Sequence, residues 1–469
     1  MKKMNAKRIF AWTGAAAIAL SATLSFTSCA LLEWLFPGET AEKYQPYQKD
    51  YSARERAQIQ SSSFKKLNDI PYPDGTGQEE VDKEYKAAMA AFADKLYALT
   101  AERGKNFSFS PMGLFNLLSI ASLASDDGES LSAIDEFLGA DSALRAENFA
   151  KVYKNDYICN DLGTLQLCNG SFQSNLYDPN PDYIGALTNY YTEAYSLDFQ
   201  NPSDVNEILK WIDSAVHSQN FMTEKELGIT EDTVTMLFST TYFNNRWASV
   251  FETSDTAEGV FYAADGESKA AFMKHTYFGE CYDYEDYLAC YDYYCNRMKV
   301  KYILPKEKDG DIYSLVAGKS IVTDDPSRQI LTSVPEWADE ETYDRSQLVV
   351  NLTVPKFKSS YQLDFTDVLK ENGLDCLFDE YGRSFNHAFT GLPADFSAYL
   401  KFVRQKNEVS FDEDGTTIKT VTYGGFDGAT SAPMEADTVD ITLDRPFIYV
   451  ICDVNDLPIY VGHVDKPTM

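Results

Sequence analysis

The amino-terminal half of the chain carries apolar residues at helical spacing in several separate stretches. Between Glu84 and Ala101 the apolar side chains recur every three or four positions, which is typical of a helix with one buried face. The same spacing predicts further helices at residues 114–123, 131–138, 183–195 and 205–216. Gly139 directly follows one of them, and glycine is favoured just beyond a helix end.

Runs rich in β-branched and aromatic residues predict strands, and they dominate the later part of the chain. They cover residues 106–111, 165–172, 233–243, 251–273, 277–305, 348–358, 447–452 and 459–464. Residues 233–243 are apolar and β-branched, which predicts a buried strand. Because helices come early and strands come late, the order favours an α+β domain over alternating βαβ units.

The stretch from Tyr277 to Pro305 is rich in tyrosines that are interleaved with acidic residues. An aromatic binding platform would have this composition, but tyrosine is also a favoured strand residue that packs well against its neighbours. We therefore interpret the stretch as packed β-ribbon.

One stretch near the carboxyl end, residues 413–434, combines two patterns. Its first part, from Thr416 to Thr422, is mostly β-branched, which favours a strand. Its second part contains Gly424, Gly425 and Gly428, which break any regular pattern and predict an exposed loop. A strand-forming segment that runs into such a tip indicates a segment presented to a partner.

The composition limits the classes of partner. The chain has 469 residues, of which 44% are hydrophobic, so it can form a large core. Its formal net charge of −31 predicts repulsion from nucleic acid, from anionic membrane surfaces and from heparin-like polyanions. We therefore expect no nucleic-acid partner.

The first 29 residues have the pattern of an export signal. Basic residues precede an apolar run at residues 10–24, which is too short for a comfortable membrane span. The run leads to Ser28-Cys29, which resembles a bacterial lipobox with a lipidated cysteine; an ordinary cleaved signal peptide is the alternative. Residues 30–83 are mostly polar and contain several prolines, which predicts a tether. We expect an exported protein at the bacterial periplasm or cell surface, attached to a membrane only through the lipid on Cys29.

The residue types that catalyse reactions or bind metals are sparse or unsuitably spaced. Besides Cys29, seven cysteines remain, and this odd number implies at least one free thiol or an intermolecular pair. None has Cys-x-x-Cys spacing, and the four histidines form no His-Glu-x-x-His pattern. The sequence also contains no Gly-x-Ser-x-Gly elbow and no phosphate-binding glycine loop. We therefore predict no metal site, no cofactor and no enzymatic activity.

Six motifs, in order along residues 84–469, resemble motifs of the serpin family. Residues 106–111 resemble its Asn-x-x-x-Ser-Pro segment, and residues 354–357 resemble its Pro-Lys-Phe strand. The third motif is a central-strand set, found at Tyr242, Phe243, Trp247, Phe251, Thr256, Phe261, Gly266 and Met273. The fourth is a hinge at Glu413–Thr416, and the last two form a carboxyl-terminal hairpin, at Asp444–Phe447 and at Val461–Val464 with Pro467.

This resemblance implies one α+β domain with three β-sheets, eight or nine helices and an exposed reactive-centre loop at about residues 413–436. It also implies a protease inhibitor that acts as a suicide substrate. A target protease cuts the loop and becomes acylated, and the upstream half of the loop then inserts into the main sheet and traps the enzyme. We expect a monomer whose partner is a target protease. A non-inhibitory binding or scaffold protein with the serpin fold is the alternative.

The resemblance assigns the hinge of this loop to Glu413, Asp414, Gly415 and Thr416. Because a strand has a period of two, every second side chain should face the core on insertion. These inward residues are Thr416, Ile418, Thr420 and Thr422. Inhibitory members usually carry small residues here, and Ile418 is bulky for a buried slot, where overpacking costs about 1–3 kcal/mol.

The resemblance also locates the region where the main sheet must open. The family places a polar cluster there, formed by two serines, an asparagine and a histidine. The matching positions hold Ser110, Gly113, Ser239 and Arg404, so only Ser110 keeps the family's residue. We expect Trp247 to be buried near the upper end of this sheet, where the loop begins to insert.

Two counts place the scissile bond to within one residue. By the family's pattern, counting back from the carboxyl-terminal motif gives Thr430–Ser431, which we prefer, and counting forward from Gly415 by the family's usual loop length gives Ala429–Thr430. In both cases the residue before the cut is small and uncharged, which suits elastase-like serine proteases or papain-like cysteine proteases. Trypsin-like enzymes are not expected, because their specificity pocket carries a carboxylate that binds Arg or Lys.

Overall fold

The computed structural model describes residues 62–71, 79–125, 127–334, 341, 344–346, 348–417 and 437–468. Within these residues the helices are α1 (Lys83–Thr100), α2 (Pro111–Ser122), α3 (Gly128–Leu138), α4 (Ser142–Asp156), α5 (Pro181–Asn189), α6 (Pro202–Ala215), α7 (Glu224–Leu227), α8 (Ile312–Val316) and α9 (Thr366–Leu369). Short 3₁₀ or π turns lie at Thr253–Asp255, Pro326–Arg328, Lys370–Leu374, Asp375–Phe378 and Asn386–Ala388.

Strands make up most of the remaining regular structure in the described residues. They are β1 (Lys65–Lys66), β2 (Phe107–Phe109), β3 (Ile158–Asn160), β4 (Gly163–Ser174), β5 (Asp178–Pro179), β6 (Thr192–Leu197), β7 (Thr235–Arg246), β8 (Ala257–Ala263), β9 (Gly266–Gly279), β10 (Cys281–Asp283), β11 (Tyr287–Tyr293), β12 (Lys299–Pro305), β13 (Leu348–Pro355), β14 (Phe357–Asp364), β15 (Phe389–Thr390), β16 (Arg404–Asp412), β17 (Gly415–Thr417), β18 (Thr438–Thr442), β19 (Phe447–Cys452) and β20 (Pro458–Val464).

The strands form three main sheets. Sheet A has eight strands in the order β1-β6-β4-β7-β17-β16-β14, with β3 also paired to β4. Sheet B has the order β10-β11-β12-β19-β20-β2, and sheet C has the order β18-β13-β9-β8. A small additional pair joins β15 to β5. Three main sheets and nine helices in the described part of the chain confirm the predicted α+β fold class.

Local sequence explains where several helices begin. Ser110, Asn180 and Asn201 each precede a proline, and each side chain accepts a hydrogen bond from a backbone N–H of the first turn. A polar cap followed by proline is a favoured helix start, because proline lacks the N–H that would otherwise be unpaired there. At the end of α3, Gly139 has a φ of 66° and ends the helix in the left-handed conformation that glycine favours.

Helices cover both faces of sheet A. On the inner face α2 packs against β7 and β20, next to the main hydrophobic core. On the outer face α6 packs across β4 and β7 over a smaller core that includes Phe172 and Ile208. The two cores are separate because successive side chains of a strand point to opposite faces of the sheet.

Three predicted elements differ from the structure. Residues 183–195, predicted as one amphipathic helix, divide into the end of α5 and strand β6, with Tyr191 at a φ of 45° between them. Residues 348–358 divide at Lys356 into β13 and β14, which belong to different sheets. Residues 235–241 form a strand, but their side chains are half-buried rather than buried, because the strand borders a gap in sheet A.

The tyrosine-rich stretch is packed β-ribbon, as predicted. The side chains of Tyr287, Tyr294 and Tyr302 are buried within or beside sheet B. Cys281 and Cys290 stand opposite each other on β10 and β11 and form a disulfide. Motif spacing gave no sign of this pair because strand register creates it. The other described cysteines have free thiols: Cys159, Cys168, Cys295, Cys376 and Cys452.

The amino-terminal predictions meet the structure only in part. The predicted signal, Cys29, and residues 30–61 and 72–78 of the predicted tether lie outside the described residues. Residues 62–71 of that tether lie along the edge of sheet A, where Lys65–Lys66 form β1.

None of the helices in the described residues combines the length and the apolar character needed to cross a bilayer. The described His, Cys, Asp and Glu side chains form no group of three placed to hold a metal ion.

Candidate functional site

The predicted hinge forms the turn between β16 and β17 in sheet A. Glu413 and Asp414 occupy the turn, and the chain returns as β17 between β7 and β16. β17 pairs antiparallel with both neighbours, so that Thr416 stands opposite Asn245 on one side and Phe411 on the other. We call the strand position between β7 and β16 the slot, and the end that holds β17 its upper end.

Gly415 and Thr416 fit the upper end of the slot closely. A Cβ atom on Gly415 would lie 2.1 Å from the carbonyl oxygen of Asn245, so only glycine permits this approach of the two backbones. Thr416 is 0% exposed, and its hydroxyl accepts a 2.7 Å hydrogen bond from the hydroxyl of Tyr294. The predicted inward orientation of Thr416 is confirmed, and its paired hydroxyl avoids the penalty of burying an unpaired polar group.

Trp247 supports the same end of the slot. It is 2% exposed, as its place in the central-strand motif predicted. Its Nε1 donates a 2.9 Å hydrogen bond to the carbonyl of Asp412, the last residue of β16. Its ring stacks on Tyr294 with a centroid distance of 4.7 Å. Trp247 therefore holds both the end of β16 and the tyrosine that binds Thr416.

Glu413 fastens the hinge turn to its surroundings. Its carboxylate accepts hydrogen bonds from Lys356 Nζ and, at 2.8 Å, from Thr256 Oγ1. Burial acts to raise the pKa of Glu413, but the hydrogen bonds from Lys356 and Thr256 outweigh it and leave this pKa below its ordinary value. Lys356 belongs to the Pro-Lys-Phe motif and Thr256 to the central-strand set, so three motifs meet at this carboxylate.

Below β17 the same two strands are separated by an open gap. In the described residues no ladder joins β7 directly to β16; β7 pairs outward with β4, and β16 pairs outward with β14. A cavity of about 680 Å³ lies here, and its lining includes residues 235–241 on β7, among them Ser239, and residues 404–408 on β16. The slot is therefore filled at its upper end and open along the rest of its length.

The inner wall of the gap is a polar network. Gln405 accepts a 2.7 Å hydrogen bond from the backbone N–H of Ser110 and donates one of 3.0 Å to the Ser110 carbonyl. Asn407 donates to the Ser108 carbonyl at 3.1 Å and to Gln405 Oε1 at 3.0 Å. The Ser110 hydroxyl donates to the Ile459 carbonyl at 2.7 Å. These bonds tie β16 to β2 and to the start of α2, and they tie the start of α2 to β20.

Arg404 does not join this wall, so its assignment to the sheet-opening cluster is wrong. Its side chain donates to Asp364 at 2.8 Å and lies over the ring of Phe402. Alternation along β16 makes Gln405 the inward residue instead, because a shift of one position exchanges the two faces. Gly113 leaves room for Gln405, since a Cβ atom there would lie 3.3 Å from Gln405 Nε2.

On the outer face, the segment between α6 and β7 crosses the gap. It places Glu226 of α7 against Lys406 of β16, with 2.8 Å between Oε1 and Nζ. The hydrogen bonds from Lys406 and Thr223 lower the pKa of Glu226 to about 2. Farther along, Lys401 donates to Thr230 Oγ1 at 3.1 Å. A strand that filled the slot would pass beneath this segment, which we call the cross-gap segment.

Sequence reasoning missed several of these residues. Tyr294 was only one tyrosine of a rich stretch, and nothing in its spacing indicated the bond to Thr416. Asn407 and the pair of Glu226 and Lys406 belong to no motif, and they meet only because the fold brings β16 next to α2 and α7. Several predicted residues lie outside the described ones: Ile418, Thr420, Thr422, Ala429, Thr430 and Ser431.

Sequence comparisons identify the family. A profile of the family named Serpin (serine protease inhibitor) matches residues 87–467. Serpin-Z4 of Hordeum vulgare is 26% identical over 379 residues, which are 77% of this chain and 90% of the relative. Serpin B7 of Homo sapiens is 23% identical over 402 residues, which are 81% of this chain and 99% of the relative. The chain therefore belongs to the serpin family, whose members are mostly protease inhibitors rather than catalysts, although some are non-inhibitory.

Solved structures with the same fold include members with different roles. The native state of tengpin, a thermophilic serpin, matches with a TM-score of 0.68 and 19% identity, over 84% of this chain and 97% of that one. Thyroxine-binding globulin in complex with thyroxine matches with a TM-score of 0.64 and 20% identity, over 83% of this chain and 100% of that one. These similarities show the serpin fold.

Proposed function

We propose that the protein is a protease inhibitor that acts as a suicide substrate. The observation that carries this proposal is the hinge, because β17 occupies the upper end of a slot whose remaining length is open. Two strand edges that face an open slot are a template for a further strand. Cleavage of the loop would release its upstream half to continue from β17 into the slot, with the acylated protease attached.

The first inward residue beyond the hinge is Ile418, and the slot offers it apolar neighbours. Continuing the two ladders beyond Thr417 by one residue places Ile418 opposite Phe243 and Val409. Both of these side chains are buried. The bulk of Ile418 departs from the small residues usual in inhibitory members. The two apolar side chains opposite it in the slot nevertheless favour its burial and so support its insertion.

The next two inward positions are polar in the loop and in the slot. The same continuation places Thr420 opposite Asn407 and Thr422 opposite Gln405. Amide groups both donate and accept, so these two side chains can pair the threonine hydroxyls on burial. The order apolar, polar, polar in the loop therefore matches the order in the slot, which supports insertion of this particular segment.

The proposed partner is an elastase-like serine protease or a papain-like cysteine protease. We propose cleavage at Thr430–Ser431, with Ala429–Thr430 as the alternative. The residue before either bond is small and uncharged, so it fits specificity pockets that do not require a charged side chain. Trypsin-like enzymes do not fit, because their pocket seeks Arg or Lys.

Incubation with an elastase and, in parallel, with papain tests the inhibition. An inhibitor yields a covalent complex that survives SDS, and sequencing of the released carboxyl-terminal fragment should begin at Ser431. A heat-inactivated sample of the same protein is the control for cleavage without trapping. Complete cleavage with no complex for either enzyme class would contradict inhibition.

A non-inhibitory binding or scaffold protein is the second candidate, and the sheet-opening cluster favours it. Where the family usually has a second serine, an asparagine and a histidine, this chain has Gly113, Ser239 and Gln405. A changed cluster alters the barrier to sheet opening, and slow opening lets the protease finish hydrolysis and leave. This candidate predicts a loop that is cut without a covalent complex.

We also propose that a lipid on Cys29 anchors the exported protein to a membrane, at the bacterial periplasm or cell surface. The basic start, the apolar run and Ser28-Cys29 support this proposal. Replacing Cys29 with Ser should move the protein from the membrane fraction to the soluble fraction. A Cys29→Ser variant that stays with the membranes would contradict the lipid anchor.

A further inference from the structure

Residues 62–71, which we call the strap, lie along the outer edge of sheet A. Lys65 and Lys66 pair antiparallel with Ser196 and Tyr195 of β6. The ladder continues with a 2.8 Å hydrogen bond from the backbone N–H of Leu67 to the carbonyl of Ala194. The strap therefore covers an edge that β6 would otherwise expose, and exposed edges readily bind another strand.

Polar contacts join the beginning of the strap to α6. The hydroxyls of Ser62 and Ser63 donate to the two carboxylate oxygens of Asp204 at 2.6 Å and 2.5 Å, and the Ser63 N–H donates at 2.9 Å. Asp204 lies in the first turn of α6 and is fully buried. Burial acts to raise the pKa of Asp204, but the hydrogen bonds from Ser62 and Ser63 outweigh it and lower this pKa. A buried carboxylate is thus paired largely by the strap.

A second set of contacts binds the far end of the strap to the backbone of β6. The Asn68 amide donates to the carbonyl of Thr192 and to the hydroxyl of Thr188, both at 3.0 Å. Its Oδ1 accepts a 2.8 Å hydrogen bond from the backbone N–H of Ala194. One asparagine side chain therefore forms hydrogen bonds with a backbone carbonyl and with a backbone N–H of β6, and it also contacts the end of α5.

An aromatic side chain fills the space between these two polar ends. Phe64 stacks on Tyr195 with a centroid distance of 4.8 Å and lies 6.2 Å from Phe172. These rings belong to the small core beneath α6. Lys66 adds an ion pair with Glu193 at 3.0 Å.

We propose that β6, the first turn of α6 and the end of α5 form a peptide-binding groove that the chain's own strap occupies in cis. Its ligand class is an extended segment with two adjacent hydroxyl residues, an aromatic residue directly after them and an asparagine four positions beyond it. Because the strap joins α6 to the outer edge of the sheet, its binding holds α6 down on sheet A. The cross-gap segment follows α6 directly, so a bound strap opposes the lifting that strand entry requires; this consequence rests on the proposed inhibitory function.

The test converts the strap into a removable ligand of the folded protein. A recognition site for a sequence-specific protease is inserted between residues 72 and 78 of the full-length chain, which is folded first and cut afterwards. Cutting and dilution should release the strap and lower the melting temperature of the protein by several degrees. A fluorescent synthetic peptide of residues 60–71 should then bind saturably and restore the original melting temperature.

Peptide variants separate specific binding from simple attachment to an edge. Phe64→Ala or Asn68→Ala in the peptide should weaken binding at least about tenfold, as loss of about 1.4 kcal/mol implies. Lys65→Ala is the matched control, since Lys65 pairs through its backbone and its side chain is exposed, and it should bind unchanged. The proposed groove would be contradicted if all peptides bound equally, or if the wild-type peptide failed to restore the melting temperature.

The consequence for insertion has its own measurement. The cut, strap-free protein should convert faster on warming into a heat-resistant form with an inserted loop, and added peptide should slow this conversion. If peptide binds but conversion is unchanged, the groove exists and its link to insertion is wrong. If no inserted form arises even after loop cleavage, the inhibitory function fails while the binding result still stands.

Discussion

The two ends of the slot are built from the same strands, β7 and β16, yet they are in opposite states. At the upper end, β17 pairs with both strands, and the buried Thr416 is hydrogen-bonded to Tyr294, which stacks on Trp247. Lower down, the strands are separated by a cavity of about 680 Å³, and residues 235–241 are only half-buried. The upper end resembles a completed sheet, whereas the lower part resembles a sheet that lacks one strand.

This difference indicates where insertion would gain free energy. The contacts of Gly415 and Thr416 are already formed in the intact chain, so they position the loop without adding to the change on cleavage. The backbone edges and the apolar and polar side chains below them are the groups that a new strand would pair and bury. On this account the upper end sets the register and the lower part supplies the driving force.

The largest expected loss of stability comes from removing the aromatic support of the upper end. Trp247→Ala should lower the free energy of unfolding by roughly 3–5 kcal/mol, because a large buried side chain and its hydrogen bond to Asp412 are both lost. Urea denaturation measures the loss. Trp211→Ala is the control, since Trp211 is half-buried on the outer face and should cost less. A loss below about 1 kcal/mol for Trp247→Ala would mean that the upper end is not a tightly packed unit.

A charge at the first inserted position should separate cleavage from trapping. Thr416→Arg places an unpaired charge where the side chain is 0% exposed, at a cost of several kcal/mol. The loop tip is more than ten residues away, so the variant should still be cut at Thr430–Ser431 but form no SDS-stable complex. Thr416→Ser keeps the small hydroxyl and should inhibit like wild type. Normal complex formation by Thr416→Arg would show that the register at the upper end does not control insertion.

A smaller effect should separate the inner and outer faces of β16. Gln405→Leu removes two hydrogen bonds to Ser110 and should cost about 1–3 kcal/mol, because it leaves the buried backbone N–H of Ser110 unpaired. Arg404→Ala, on the outer face, should cost less than about 0.5 kcal/mol. Thermal denaturation of the two variants measures both values. Equal losses of stability in the two variants would contradict this distinction and would assign Arg404 to the sheet-opening cluster.

The smallest effect concerns the pH dependence of the hinge. The folded pKa of Glu413 is lowered, so its bonds to Lys356 and Thr256 stabilise the fold fully above its unfolded pKa of about 4.3. This stabilisation is lost as the pH falls through the lowered folded pKa. The free energy of unfolding of wild type should therefore exceed that of Glu413→Gln by about 1 kcal/mol at pH 7, and the two free energies should converge toward pH 3. A difference that does not change with pH would assign the effect to packing rather than to charge.

Motif spacing predicted the upper end better than the lower part. The hinge glycine and threonine, and the buried tryptophan, have fixed distances from recognisable motifs, so counting placed them correctly. The count failed at Arg404 because an error of one residue on a strand selects the opposite face, where Gln405 was needed. Local sequence could not predict the role of Tyr294, because its partner, Thr416, is 122 residues away along the chain.

The gap and the strap lie beyond what local pattern can predict. Residues 233–243 are apolar enough for a fully buried strand, and only the separation of β7 from β16 leaves the side chains of residues 235–241 half-buried. The strap looks like a linker, since six of its ten residues are polar or charged. Its strand forms because the edge of β6 and the carboxylate of Asp204 provide partners, and neither is visible from the strap's own sequence.

The most direct test of the account compares the melting of intact and cleaved protein. Limited digestion with an elastase cuts the loop, and calorimetry then records both forms, with Thr416→Arg digested in parallel. Cleaved wild type should melt well above intact wild type, because insertion fills the open slot, whereas cleaved Thr416→Arg should melt close to its intact form. If cleaved and intact wild type melt at the same temperature, the slot does not accept the loop and the trapping mechanism is contradicted.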